Sequence, residues 1–286
     1  MDAFDDSDEP LLRTILEEMN VDQRTRSAQS EPAQAIAPAS RSTAVRLAEV
    51  SKLYGQFVAL RKVSTEFAVG SSTVILGDNG AGKSTLLRLI AGLIAPSRGI
   101  VEVFDDTPHG QRRRIAYMSH EAMLYDELSA LENLRYFARL QRDCGDGACA
   151  CSGSSERALR AVGLDPTLSR PVGQYSQGMR QRASLARALQ SDPELLLLDE
   201  PFANLDVDSA RRMVDLLVEF RKWPVSSAAT GQCARGRTIL LTTHQAQLAE
   251  PLAETTLTMR AGSILSVVSA TKVGAAKSGA AKESIQ

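Results

Sequence analysis

The chain has 286 residues, 33 Lys+Arg against 34 Asp+Glu and a net charge of -1, so it lacks the basic excess that nucleic-acid binders carry. Its 43% apolar and 23% charged residues are those of a soluble globular protein of one large or two small domains, which excludes collagen-like and wholly disordered chains. Four cysteines are too few for a disulfide framework, no apolar run reaches the roughly 18 residues of a membrane span, and the acidic start is unlike a secretory leader.

Residues 1–43 read as a disordered tail. Asp5, Asp6, Asp8 and Glu9 open it, Leu11, Leu12, Ile15 and Leu16 suit a short amphipathic turn, and 29–42 is rich in Ala, Pro, Ser and Gln. Such a composition buries too little apolar surface to offset its ordering entropy. Residues 45–69 predict short β segments broken at Tyr54-Gly55 and at the polar pair Arg61-Lys62. The apolar run Thr73-Val74-Ile75-Leu76 predicts a buried strand ending at Gly77, and 84–91 has helical spacing of Leu86, Leu87, Leu89 and Ile90, closed by Gly92.

Further strands are predicted at 99–104, 114–118, 194–198, 238–242 and 264–268, with helices at 130–140, 156–162, 177–190 and 207–221. Strands alternating with helices indicate an α/β fold with a mainly parallel central sheet. Two stretches of small residues, 143–155 and 224–236, read as surface-loop insertions, whose closure costs little entropy. Residues 269–286, rich in Ala, Gly, Lys and Ser, read as a flexible C-terminal tail.

Gly77-Asp78-Asn79-Gly80-Ala81-Gly82-Lys83-Ser84-Thr85 matches G-x-x-x-x-G-K-[ST] between a predicted strand and a predicted helix, the context of a phosphate-binding loop. Glycines at 77, 80 and 82 let the backbone curl round phosphate oxygens, and its amides form an anion nest at the helix N-terminus. Lys83 then reaches the β- and γ-phosphates, and Ser84 places a hydroxyl on Mg²⁺. Downstream, four leucines (195–198) lead into Asp199-Glu200-Pro201, a carboxylate pair at the C-terminal edge of a buried strand, where open α/β sheets bind ligands. Asp199 suits Mg²⁺, held through water, and Glu200 suits the general base that polarises attacking water.

With those motifs in place the chain, over about 45–268, resembles the ATP-binding subunit of an ABC transporter. Tyr175-Ser176-Gln177-Gly178-Met179 resembles that family's signature motif: Ser176 and Gly178 match, while Tyr175, Gln177 and Met179 depart from it. The resemblance implies that Ser176 and Gly178 bind the γ-phosphate of an ATP held by the opposite subunit. It also implies that Tyr54 stacks on adenine, that Asn204-Leu205-Asp206 is a loop touching the partner subunit's site, and that His244 senses the γ-phosphate. His120 stands where the family usually has Gln.

Ser119-His120-Glu121, followed by Leu128-Ser129-Ala130-Leu131-Glu132-Asn133-Leu134, looks like the heme-exporter branch concerned with cytochrome c maturation. The implied fold is a RecA-like P-loop core over 44–268, with an N-terminal antiparallel β subdomain and a helical subdomain near 121–186. The implied function is ATP hydrolysis, with ATP and Mg²⁺, that powers export through a separate transmembrane permease subunit. Two ATP-binding subunits, identical or different, act together at the inner face of the cell membrane, without nucleic acid. A soluble ATPase of the same type acting on ribosomes or DNA, and export of a drug or lipid, are the alternative readings. Cys144, Cys149, Cys151 and Cys233 match no common zinc spacing and read as free thiols.

Overall fold

The computed structural model describes residues 43–142, 154–223 and 236–269. Apart from Thr43 and Ser269, which begin the first strand and end the last, both predicted tails lie outside the described residues, as do all four cysteines and most of each predicted insertion.

Strands β1 (Thr43–Tyr54) and β2 (Phe57–Ala68) form an antiparallel hairpin through Gly55, and β4 (Arg98–Val103) adds to the free edge of β1, giving a three-stranded sheet in the order β2-β1-β4. The expected break at Arg61-Lys62 is absent. There the β2 register slips between Val50↔Val63 and Lys52↔Leu60, and Lys62 takes φ +44°, so the polar pair forms a bulge inside one continuous strand.

The second sheet holds β3 (Ser72–Leu76), β5 (Ile115–Met118), β6 (Leu195–Asp199), β7 (Thr238–Thr242), β8 (Thr255–Arg260) and β9 (Ser263–Ser269), in the order β5-β6-β7-β3-β8-β9. All neighbours pair in parallel except β8 and β9, which form an antiparallel hairpin at one edge. The prediction omitted β8. Its polar threonines conceal a period-two pattern in which Leu257 and Met259 are buried while Thr256 and Thr258 are half-buried and Arg260 is exposed.

The parallel strands read as unbroken apolar runs because each face of the sheet meets a separate core. Leu196, Leu198, Ile239 and Leu241 enter the core that includes Leu134, Leu159, Leu185 and Leu217. Leu195, Leu197 and Leu240 enter the other, with Val45, Leu60, Leu87 and Ile90. Five helices follow the predicted periodicity, α1 (Lys83–Ile90), α2 (Ala130–Arg142), α3 (Ser154–Ala161), α4 (Gln177–Leu189) and α5 (Val207–Lys222), and the prediction omitted the single turn α6 (Ala246–Ala249). Helices α2, α3 and α4 pack on one another beside β5.

Candidate nucleotide site

The loop between β3 and α1 carries the phosphate-binding sequence, and its glycines answer to different demands. A Cβ on Gly77 would lie 2.4 Å from the carbonyl oxygen of Met259, and one on Gly82 would lie 2.7 Å from that of Ala59. Both glycines are therefore required by neighbouring backbone, beyond any approach of phosphate. Gly80 has open space around it and needs glycine for its φ of +79°. Ala81 is buried, and its carbonyl accepts from the Gly262 amide at 3.0 Å, which ties the loop to the turn between β8 and β9.

Lys83 opens α1 and is 6% exposed. Its Nζ donates to the carbonyls of Gly77 (2.7 Å) and Asp78 (3.2 Å) and stands 3.7 Å from Glu200 Oε1. No acidic side chain occupies the first turn of α1, so its N-terminal amides keep their positive end open toward the loop. Ser84 and Thr85 follow in that turn.

Asp199, the last residue of β6, is fully buried. Its Oδ1 accepts from Ser84 Oγ (2.9 Å) and Thr242 Oγ1 (2.7 Å), and its Oδ2 accepts from Tyr117 OH (3.2 Å). Burial, assisted by the nearby Asp199 carboxylate, pushes the Tyr117 hydroxyl up to about 12, against an opposing hydrogen bond with Arg88. That same bond to Tyr117 raises the Arg88 guanidinium. Sequence reasoning missed Tyr117, Thr242 and Arg88. The only sequence signal is a polar atom at the end of an apolar strand, which both Thr242 and Tyr117 supply.

Immediately after β6, Glu200 takes φ +50°, a left-handed conformation that costs a non-glycine residue about 1–2 kcal/mol. Its amide is secured by Thr242, through the carbonyl oxygen at 3.1 Å and Oγ1 at 3.0 Å. The turn sends Asp199 into the protein and Glu200 into an open cleft of about 610 Å³, lined by Gly77, Asp78, Asn79, His120, Glu200, Thr243 and His244 among others. There Glu200 Oε2 accepts from the His244 amide at 3.3 Å and lies 3.0 Å from His244 Nδ1.

The predicted residues thus fall into separate groups. Gly77, Asp78, Asn79, His120, Glu200 and His244 line the cleft, Lys83 stands 3.7 Å from Glu200, and Ser84 is bonded to the buried Asp199 at 2.9 Å. Ser176, Gly178, Asp206 and Tyr54 line no part of the cleft. Ser176 caps α4 by accepting from the Met179 amide (3.3 Å), and Asp206 caps α5 by accepting from the Ser209 amide (2.8 Å), a bond that holds its carboxyl below the usual range. A methyl group at Gly178 would lie 3.5 Å from Ser209 Oγ, so these two helix starts adjoin. Tyr54, 46% exposed at the end of β1, has Lys52 Nζ 5.3 Å from its ring centroid.

Ser84 Oγ and the Asp199 carboxylate present hard oxygen donors 2.9 Å apart, a set that suits Mg²⁺, which is usually held by one or two side chains together with substrate phosphates. Among the described residues no group of three or more His, Cys, Asp or Glu is arranged to hold a metal ion, and no helix is long and apolar enough to cross a membrane.

Residues 60–203 match the family model described as ABC transporter. The ABC transporter ATP-binding protein NatA of Bacillus subtilis is 33% identical over 72% of this chain and 80% of its own length. A fluoroquinolones export ATP-binding protein of Mycobacterium tuberculosis is 37% identical over 74% of this chain and 66% of its own. The taurine import ATP-binding protein of Jannaschia is 31% identical over 72% and 71%. Among solved structures, a dimeric ATP-binding cassette in a post-hydrolysis state with ADP and Pi superposes with a TM-score of 0.65 at 26% identity, covering 79% of this chain and 98% of that one. The chain belongs to the ABC transporter family, as an ATP-binding subunit that hydrolyses ATP.

Proposed function

We propose that two ATP-binding subunits close face to face, and that ATP bound between them drives a separate transmembrane permease subunit from the cytoplasmic side of the membrane. One observation carries this reading. Glu200 and His244 line one cleft with Gly77, Asp78 and Asn79, and Lys83 Nζ stands 3.7 Å from Glu200, whereas Ser176, Gly178 and Asp206 line no part of it and sit at the adjoining starts of α4 and α5. One copy therefore carries both halves of an ATP site in separate places, and a second subunit supplies the half that each cleft lacks. The dimeric cassette among the structural relatives supports the same arrangement.

In that site Lys83 and the loop amides orient the β- and γ-phosphates, and Tyr54 offers a face for the adenine. Glu200 takes the proton of the attacking water, and His244, already bonded to Glu200, holds the γ-phosphate. Ser84 and Asp199 hold Mg²⁺, which supplies charge neutralisation on the phosphate oxygens.

The finer reading is export, with heme for cytochrome c maturation as the cargo. His120 in the cleft supports it. The segment from Ser129 to Asn133 carries less of that argument than its sequence suggests, because the fold accounts for it. Ser129 and Glu132 cap α2 reciprocally at 2.8 and 3.3 Å, and buried Asn133 bonds the amide and carbonyl of Tyr125 at 2.8 and 3.0 Å. The relatives include a drug exporter and a taurine importer, and the permease sets both cargo and direction.

The test is recovery of the tagged chain from detergent-solubilised membranes, followed by ATP-dependent heme accumulation in inside-out vesicles. A multispanning partner is expected, with heme moving into the vesicle lumen. Recovery with ribosomes or DNA and no membrane protein would replace the transporter reading with the soluble ATPase. A partner without heme movement would overturn only the cargo.

A further inference from the structure

Tyr117 is absent from the sequence motifs yet touches the residue on which the metal site depends. It lies on β5 opposite Leu197 of β6, and Asp199 is two residues further along on the same face of that strand. The phenol therefore reaches diagonally across the sheet, and its hydroxyl donates to Asp199 Oδ2 at 3.2 Å. The other carboxylate oxygen is already occupied, accepting from Ser84 at 2.9 Å and from Thr242 at 2.7 Å.

Three hydroxyls from three elements thus fix both oxygens of one buried carboxylate. The Arg88 guanidinium lies near the Tyr117 hydroxyl and interacts with it electrostatically. Arg88 and Ser84 both lie on α1, one turn apart. Helix α1 is thus bonded to Asp199 through Ser84, and strand β5 through Tyr117. Rotation of the carboxylate would break bonds on two sides.

We propose that Tyr117 is a positioning residue for Asp199, holding Oδ2 so that the carboxylate faces a divalent cation beside Ser84 in a single orientation. The inference rests on the reading of Asp199 and Ser84 as the Mg²⁺ site. Partners that orient a metal-binding carboxylate commonly contribute ten-fold or more to metal affinity.

The test uses the full chain with Mn²⁺ as the probe, its binding followed by electron paramagnetic resonance in the presence of a non-hydrolysable ATP analogue. Tyr117→Phe keeps the ring and removes only the hydroxyl. The half-saturating Mn²⁺ concentration is expected to rise about ten-fold. Metal-free nucleotide affinity should stay at the wild-type value, and the turnover deficit should be recovered at high Mg²⁺. A Tyr117→Phe protein with unchanged Mn²⁺ affinity, alongside an Asp199→Asn protein that has lost it, would overturn the role of Tyr117 alone. Unchanged Mn²⁺ affinity in Asp199→Asn would overturn the metal site itself and this inference with it.

Discussion

Lys83 Nζ stands 3.7 Å from Glu200 Oε1 in the cleft while donating to the carbonyls of Gly77 and Asp78. The cation that meets phosphate and the carboxylate that acts on water are therefore neighbours before any nucleotide arrives. The contact places opposite charges together where Lys83 is only 6% exposed, so each offsets part of the other's desolvation cost.

Lys83→Ala should abolish productive nucleotide binding. It removes the ammonium that meets the phosphates and leaves the Glu200 carboxylate facing them uncompensated. Losing one member of a buried charged contact costs about 3 kcal/mol, roughly a hundred-fold in affinity. Titration with a fluorescent ATP analogue measures it. Affinity within a few-fold of wild type would remove Lys83 from the phosphate site.

Glu200→Gln should bind ATP at least as well as the wild type and turn it over roughly a hundred-fold or more slowly, the usual contribution of a general base. The amide keeps the shape of the side chain and loses its proton affinity. Single-turnover hydrolysis reads the rate, and size-exclusion chromatography with ATP should show an accumulated dimer. Wild-type turnover would assign the base elsewhere.

Ser129→Ala should destabilise the protein by about 1 kcal/mol without changing basal ATP hydrolysis. The substitution removes the hydroxyl that accepts from the Glu132 amide and donates to the Glu132 carboxylate at 2.8 Å. Urea unfolding of the variant tests whether this segment serves the start of α2.

Tyr175→Phe should leave stability unchanged or raise it by about 1 kcal/mol. Tyr175 is 7% exposed in the core, and its hydroxyl has no hydrogen-bond partner among the described residues. Removing an unpartnered buried hydroxyl relieves a desolvation penalty. A loss of more than about 1 kcal/mol in urea unfolding would mean that the hydroxyl is bonded.

Alkaline stability should depend on Tyr117. Its hydroxyl titrates near 12 in the folded chain instead of near 10, chiefly through burial. Between those values the unfolded chain has released a proton that the folded chain keeps, so stability falls as pH rises through the window. Below pH 10 the contribution is complete. Melting temperatures below pH 10 and near pH 12 should fall less for Tyr117→Phe than for the wild type. An identical fall in both would place Tyr117 in solvent.

What the sequence by itself determined were the contiguous features. The phosphate loop is one run of residues from Gly77 to Thr85, and its chemistry depends on spacing along the chain. The same holds for Asp199-Glu200 after four leucines, for the starts of α4 and α5, and for the buried strands, whose apolar runs follow from burial on both faces. Tertiary structure decided what converges on those features. Thr242 meets Asp199 because Leu198↔Leu241 pairing brings the two strand ends level, and Tyr117 arrives from the other side through the pairing of β5 with β6. Gly77 and Gly82 are needed because the backbones of Met259 and Ala59 approach their α-carbons. Register between distant strands is set by the packing of two whole cores, and no local window of sequence contains it.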